Sequence, residues 1–132
     1  MSITLEADYA IRIVSMLAAE KERVDAGTLA ERTGVSPRFS LKILRKLVQA
    51  GIAKSYKGIR GGYELALAPH KITLRMVVEA IDGPIEIARC LAKDFVCSNP
   101  QSGNSGDSIC RFYHEFFRIS ALIRDELDKT TF

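Results

Sequence analysis

Residues 29–51 read LAERTGVSPRFSLKILRKLVQAG, and this stretch decides the fold. Gly34 can adopt a positive φ, which suits the end of a short helix just before the turn. Ser36 suits the N-cap of the next helix, and Pro37 suits its first position, where no amide hydrogen bond is lost. That helix runs to about Ala50 and carries an apolar stripe at helical spacing, formed by Phe39, Ile43, Leu44 and Leu47. The stretch therefore predicts two helices joined by a tight turn.

A β-hairpin is predicted directly after this helix pair. Residues 52–56 indicate one strand, residues 57–62 a glycine-rich turn, and residues 63–67 alternate apolar with polar side chains as a returning strand does. Apolar residues at three- and four-residue spacing also predict a helix over residues 5–20. The order of helix, tight turn, helix and hairpin is that of a winged helix-turn-helix, so the fold class is mainly α with a small β-hairpin wing.

Two further helices are predicted in the rest of the chain. Thr73 caps a helix over residues 74–81, which the DGP sequence at residues 82–84 ends. After a polar loop, Ser108 caps a long helix over residues 109–127. The long helix carries a broad apolar stripe, formed by Ile109, Phe112, Tyr113, Phe116, Phe117, Ile119, Ile123 and Leu127.

The distribution of charge indicates a polyanionic partner for the helix pair and the hairpin. The chain of 132 residues has a net charge of only +3. Residues 32–63 hold eight basic residues and no acidic one, whereas residues 81–132 hold six basic and eight acidic residues. Double-stranded DNA is the polyanion whose major groove accepts a helix and whose minor groove accepts cations. A basic face that only contacts solvent is the alternative.

The candidate DNA contacts follow from the predicted helix and turn. A helix in the major groove presents its exposed N-terminal residues to base edges. Guanine edges suit Arg38 or Lys42, whereas phosphates suit Arg45 and Lys46. Two more cations on the glycine turn are placed to enter the minor groove. The predicted contacts are Ser36, Arg38, Lys42, Arg45, Lys46, Lys57 and Arg60.

The second half of the chain carries three cysteines, Cys90, Cys97 and Cys110. An odd number of cysteines in a cytoplasmic protein does not indicate a disulfide framework. No two of them form a Cys-x-x-Cys pair, so a zinc ribbon or a thioredoxin-type motif is not supported. Thiolates are soft ligands that suit iron–sulfur clusters or zinc, and the polar loop before Cys110 gives the three thiols the reach to converge. A buried, apolar role for the cysteines is the alternative.

Several of these segments together resemble a known family. The matching segments are DYAIR at 8–12, LAERTGVS at 29–36, LRKLVQAGI at 44–52, SYKGIRGGYEL at 55–65, ITL at 72–74, and DGPI at 82–85 followed by Cys90. They span nearly the whole chain and resemble the Rrf2 family of bacterial winged-helix transcriptional regulators. The Gly-Gly-Tyr wing followed by the Asp-Gly-Pro break is the most specific part of this resemblance.

The resemblance implies a homodimer that reads a palindromic operator in double-stranded DNA. In such a dimer the long C-terminal helices pack on each other, and two-fold symmetry places the two recognition helices about one DNA turn apart. Residues 1–82 would form the winged helix-turn-helix DNA-binding region, residues 83–108 a cysteine-bearing loop region and residues 109–132 a dimerisation helix, within one structural domain. The broad apolar stripe of the last helix agrees with a dimer, although it could instead close the core of the monomer.

The resemblance also implies an iron–sulfur cluster, of either the 2Fe-2S or the 4Fe-4S type. Cluster-binding members carry three cysteines in this location, so Cys90, Cys97 and Cys110 would be ligands. The fourth ligand would be Asp8, which matches an aspartate that reaches the cluster from the partner subunit in nitric-oxide-sensing members, or His114. His114 lies four residues after Cys110 and therefore shares a helix face with it.

The implied function is a dimeric, sequence-specific DNA-binding regulator that senses redox, iron–sulfur or nitric oxide status through the cluster. A cluster-free regulator of the same family, controlled by a partner protein or by thiol oxidation, is the alternative. Either function would be carried out in the cytoplasm, because the N-terminus shows no signal-peptide pattern.

Other classes of protein are weakly supported. We expect no enzyme, because the sequence shows no Ser-His-Asp set, no metal-binding histidine pair and no nucleotide-binding loop. We expect no membrane partner, because no apolar run approaches the roughly 20 residues of a transmembrane helix. Binding of the wing to acidic lipid or to another protein stays an alternative. It would be excluded if the affinity for DNA fell steeply with salt and if palindromic duplexes were preferred over random DNA.

Overall fold

The computed structural model describes residues 2–98 and 110–132, which form five α-helices and one antiparallel hairpin. The helices are α1 (Leu5–Ala19), α2 (Ala26–Thr33), α3 (Pro37–Gln49), α4 (Leu74–Asp82) and α5 (Arg111–Asp128). The strands are β1 (Ala53–Tyr56) and β2 (Gly62–Leu65), and two short 3-10 turns lie at Pro69–Lys71 and Arg89–Leu91. The predicted mainly α fold with a small hairpin is confirmed, whereas the two 3-10 turns were not predicted.

Local capping chemistry sets the ends of the helices around the tight turn. Gly34 ends α2 with a φ of 74°, a left-handed conformation that costs glycine nothing. The Ser36 hydroxyl accepts a hydrogen bond of 3.3 Å from the Phe39 amide, and Pro37 occupies the first position of α3. At the start of α2 a carboxylate oxygen of Asp25 accepts from the Thr28 amide at 2.8 Å. The predicted helix-turn-helix is therefore present, with Gly34 and Ser36 in their predicted roles.

The core of the molecule is arranged around α1, which packs on α2, α3, α4 and β2. On α3 the fully buried residues are Ser40, Ile43, Leu44 and Leu47. Apolar periodicity predicts Phe39 in this stripe and does not mark Ser40. Phe39 is only half-buried and packs edge-to-face on Tyr9 with a ring-centroid distance of 5.7 Å, because its position lies at the flank of the buried face.

The hairpin pairs β1 with β2 in antiparallel register from Ala53 opposite Leu65 to Tyr56 opposite Gly62. A third extended segment joins it, because the Val24 amide donates to the Tyr63 carbonyl at 2.9 Å and the Tyr63 amide donates back at 2.8 Å. A Cβ atom at Gly62 would lie 2.8 Å from the Val24 carbonyl oxygen. Close backbone approach therefore explains a glycine at this position.

The C-terminal half of α5 is fastened to α4. The guanidinium of Arg75 lies 2.9 Å from a carboxylate oxygen of Asp128, and the Thr73 hydroxyl donates to the other oxygen at 3.1 Å. An isolated β-bridge between Thr73 and Thr131 adds to this attachment. The predicted cap Ser108 and first helical residue Ile109 lie outside the described residues. The described part of α5 begins at Arg111, with Cys110 at the N-cap.

No helix among the described residues combines the length and the hydropathy that a membrane crossing requires.

Candidate DNA-binding surface and cysteine region

The outer face of α3 carries the cations that the helical spacing places there. Arg38, Lys42 and Arg45 are all exposed. Ser36, the other predicted contact on this element, is exposed but its hydroxyl is engaged in the N-cap. This face thus presents positive charge to solvent over about two turns of helix.

A carboxylate from α1, which the sequence pattern does not indicate as part of this surface, lies against this face. The Nζ atom of Lys46 lies 2.7 Å from Oε1 of Glu6, and Nζ of Lys42 lies 3.3 Å from Oε2 of the same residue. The Lys46 ammonium, together with that of Lys42, holds the pKa of Glu6 below its ordinary value, although partial burial opposes this shift. Two of the predicted DNA contacts are therefore already in ion pairs inside the chain.

The wing presents its two predicted cations at the tip. Lys57, Ile59 and Arg60 are exposed, and the turn closes with a hydrogen bond of 2.9 Å from the Gly61 amide to the Gly58 carbonyl. The tip therefore combines positive charge with a narrow glycine turn.

A side chain from the α1–α2 loop supports the wing where β1 enters the turn. The guanidinium carbon of Arg23 lies 3.2 Å from the centre of the Tyr56 ring, and a guanidinium nitrogen donates to the Arg60 carbonyl at 3.4 Å. The Tyr56 hydroxyl donates to Glu64 at 2.7 Å, and this hydrogen bond raises the pKa of Tyr56. An open hollow on this side of the tip is lined by the acidic Glu22, Asp25 and Glu64 and also by Arg23 and Arg60, so it carries charges of both signs.

The three cysteines lie on three different pieces of the chain. Cys90 lies in the 3-10 turn Arg89–Leu91, Cys97 in the irregular segment that follows, and Cys110 at the N-cap of α5. All three are half-buried. Within residues 2–98 and 110–132, no three cysteine, histidine, aspartate or glutamate side chains lie together in a way that would hold a metal ion. The predicted ligands are therefore present but not gathered in this arrangement.

The two predicted fourth ligands lie on different helices. Asp8 lies on α1, where its carboxylate pairs with Arg12 at 2.8 Å. His114 lies one turn into α5, and its amide donates to the Cys110 carbonyl at 3.4 Å. The shared helix face of Cys110 and His114 is thus present, whereas neither candidate joins a group with the three cysteines.

The segment before Cys90 is fastened to α5 by two contacts that the sequence did not reveal. Ser120 is the fully buried residue of α5, and its hydroxyl accepts a hydrogen bond of 3.1 Å from the Ile87 amide. A guanidinium nitrogen of Arg124 donates to the Ile85 carbonyl at 2.8 Å. These contacts join the chain leading to Cys90 to the helix that begins after Cys110.

The N-terminal half of α5 exposes most of its apolar stripe. Phe112 and Phe117 are 58% and 55% exposed, and Phe116 is 38% exposed. Further along the helix Ile119, Ile123 and Leu127 are half-buried, whereas Leu122 is 54% exposed. The stripe therefore does not serve only to close the core of one chain.

The chain matches one family over nearly its full length. Residues 3–132 match Rrf2, described as an iron-dependent transcriptional regulator. The chain is 31% identical over 130 residues to the HTH-type transcriptional regulator IscR of Aliivibrio salmonicida, which covers 97% of this chain and 73% of that protein.

Solved structures show the same fold. The structure of T. potens IscR aligns with a TM-score of 0.70 and 22% identity, over 99% of this chain and 82% of that one. The structure of CymR, titled the global cysteine regulator of B. subtilis, aligns with a TM-score of 0.73 and 20% identity, over 99% of this chain and 92% of that one. The chain therefore belongs to the Rrf2 family, whose members are DNA-binding transcriptional regulators and not enzymes.

Proposed function

We propose that this protein is a homodimeric transcriptional regulator that reads a palindromic operator with α3 and the wing. The observation that carries the proposal is the outer face of α3, where Arg38, Lys42 and Arg45 are exposed on a helix with no acidic residue. Cations on the N-terminal half of such a helix are suited to guanine edges, and cations near its middle to phosphates. Lys57 and Arg60 would enter the adjacent minor groove.

The exposed apolar face of α5 supports the homodimer. Large side chains such as Phe112, Phe116 and Phe117 are costly to leave in water, and a second copy of the same helix would cover them. A two-fold axis at α5 would repeat α3 at a fixed spacing, which matches a palindromic site. In this proposal residues 1–82 bind DNA, residues 83–108 carry the sensing cysteines and residues 109–132 form the dimer.

The proposed sensor is an iron–sulfur cluster held by Cys90, Cys97 and Cys110, with Asp8 or His114 as the fourth ligand. The description of the family as iron-dependent and the soft chemistry of three thiols support this proposal. Because these thiols are not gathered in the structure, cluster binding requires them to come closer together. The anchoring of Ile85 and Ile87 to α5 would pass a change at Cys90 to the dimer helix.

A second candidate drops the cluster and keeps the cysteines. Three half-buried thiols could respond directly to oxidation or to a partner protein. The likeness of the fold to CymR, a cysteine regulator by its title, makes this candidate worth the same test. In either form the regulator would act in the cytoplasm, where bacterial DNA lies.

The DNA-binding proposal is tested by selecting duplexes from a random pool and measuring their affinity at several salt concentrations. Arg45→Ala should weaken binding to all duplexes and reduce the slope of log affinity against log salt by about 1, as the loss of one phosphate contact does. Lys129→Ala removes an exposed cation at the end of α5, 70% exposed, and serves as the matched control. Equal effects of the two variants would contradict the proposed surface.

The two sensor proposals are separated by anaerobic purification. A cluster would give a coloured protein with bound iron and sulfide, both lost in Cys90→Ser. A colourless protein without iron or sulfide, even after reconstitution, would exclude the cluster. Mass spectrometry of the thiols after peroxide treatment would then show whether the cysteines themselves are the sensor.

A further inference from the structure

Beyond its first residue, Pro37, α3 has one exposed side chain that cannot make a hydrogen bond. Leu41 is 44% exposed. The other exposed residues of α3 are Pro37, Arg38, Lys42, Arg45 and Gln49. A single exposed leucine is ordinary on a protein surface, but its place on this helix gives it a specific chemical consequence.

Leu41 lies in the part of α3 that would reach base edges. It is the fifth residue of the helix, which begins at Pro37. It follows Arg38 by three residues and precedes Arg45 by four, so the three side chains are neighbours on the helix surface. A helix that brings Arg38 to a base therefore brings Leu41 to the same groove.

The major groove offers such a side chain one apolar partner. Base edges there carry hydrogen-bond donors and acceptors, and the only apolar group is the C5-methyl of thymine. An aliphatic side chain set against a cytosine amino group or a guanine carbonyl would remove water from it without replacing the lost hydrogen bond. Burial of a methyl group against leucine is favourable by contrast.

We infer that Leu41 contacts a thymine methyl group and makes one position of each operator half-site prefer thymine. This inference rests on the proposed placement of α3 in the major groove. It assigns Leu41 a role in specificity that differs from the roles of the neighbouring cations, because it supplies discrimination without adding to the salt dependence of binding.

The test replaces thymine by uracil, which removes only the methyl group. A duplex selected with the wild-type protein is remade with uracil at each thymine in turn, and each duplex is titrated with wild type, Leu41→Ala and Leu67→Ala. Leu67 is 38% exposed and lies outside α3 and the wing, so it is the matched control. Circular dichroism checks that each variant is folded.

Wild type and Leu67→Ala should lose about fourfold in affinity at one thymine of each half-site, the effect of one buried methyl-sized group. Leu41→Ala, which changes both subunits of the dimer, should bind the unmodified duplex as weakly as wild type binds a duplex with uracil at this position in both half-sites, and should show no further change with uracil. Leu41→Gln should shift the selected base at this position towards adenine, because an amide pairs with the adenine edge.

Two kinds of failure are distinguishable. If wild type binds a selected duplex tightly but no uracil weakens it, or if uracil weakens Leu41→Ala as much as wild type, the inference about Leu41 is wrong. If wild type prefers no selected duplex over random DNA, the proposed DNA-reading function itself fails.

Discussion

Lys46 on α3 and Glu6 in the first turn of α1 form an ion pair, with 2.7 Å between Nζ and Oε1. Lys42 shares the same carboxylate at 3.3 Å. The side chain of Glu6 is only 19% exposed, so the pair lies partly out of water. The first helix thereby holds two cations of the proposed DNA-binding face, and this relationship has consequences for both stability and DNA affinity.

The stability of the protein should depend on the ionisation of Glu6. Because the pKa of Glu6 is lowered in the folded state by Lys46 and Lys42, its ion pairs stabilise the fold above the ordinary pKa of 4.5. That contribution is lost as the pH falls through the lowered folded-state pKa. Glu6→Gln should therefore be less stable than wild type at neutral pH by about 1 kcal/mol, a difference that disappears in acid. Urea unfolding over a pH series measures this, and a difference independent of pH would contradict it.

Glu6→Gln should also raise the affinity for DNA. Phosphates compete with Glu6 for Lys42 and Lys46, and an ion pair near the surface is worth about 0.2–1 kcal/mol, so affinity for random-sequence duplex should rise by up to about fivefold. Fluorescence polarisation measures this. Glu126→Gln removes a carboxylate paired with Lys129 at the far end of α5 and should leave affinity unchanged.

Replacement of either of two glycines in the wing turn should destabilise the protein, for a different physical reason at each position. Gly58 has a φ of 92° and open space around it, so Gly58→Ala should cost about 1–2 kcal/mol and Gly58→Asn less, because asparagine tolerates positive φ. At Gly61 a Cβ atom would collide with the Tyr56 carbonyl oxygen, so Gly61→Ala and Gly61→Asn should both cost about 1–3 kcal/mol. Urea unfolding of the four variants checks this. Relief of the Gly61 defect by asparagine would show that backbone conformation, not the close contact, requires this glycine.

Two fully buried serines offer a matched pair of substitutions. The Ser120 hydroxyl accepts from the Ile87 amide at 3.1 Å, whereas within the described residues the Ser40 hydroxyl has no hydrogen-bond partner. Ser120→Ala leaves a partly buried donor unsatisfied and should cost about 1–3 kcal/mol. Ser40→Ala removes an unsatisfied polar atom and should be neutral or stabilising. Thermal and urea unfolding measure both, and equal losses would show that the hydrogen bond to Ile87 contributes little.

Phe117→Glu should dissociate the proposed dimer without unfolding the chain. Phe117 is 55% exposed and stacks on Tyr113 at a centroid distance of 6.5 Å, so the monomer depends little on it. Burial of a carboxylate between two copies of α5 is unfavourable, and the dimer dissociation constant should rise about 30-fold or more. Sedimentation equilibrium at micromolar concentration measures this, with Glu126→Gln as control. A wild-type protein that is monomeric under these conditions would remove the dimer proposal.

The ends of the elements could be predicted because they depend on neighbours in the chain. Gly34, Ser36 and Thr73 each act within four residues, through φ or a side-chain cap, and the structure shows all three in these roles. The glycines of the wing likewise predict a tight turn. The buried position of Ser40 was missed because helical periodicity marks a face, and a polar residue within that face gives no hydrophobic signal.

The sequence by itself determined the order of the elements, the capping residues at their ends, the basic block of residues 32–63 and the family to which the chain belongs. Only the tertiary structure decided which side chains meet across the fold: Lys46 with Glu6, Arg23 with Tyr56 and Ser120 with Ile87. These partners are more than 30 residues apart, and no local spacing encodes such a contact, because it depends on how whole helices pack. The three cysteines can likewise be recognised in the sequence as possible metal ligands. Whether they lie together depends on how the elements that carry them pack, and in the folded chain they do not form a group.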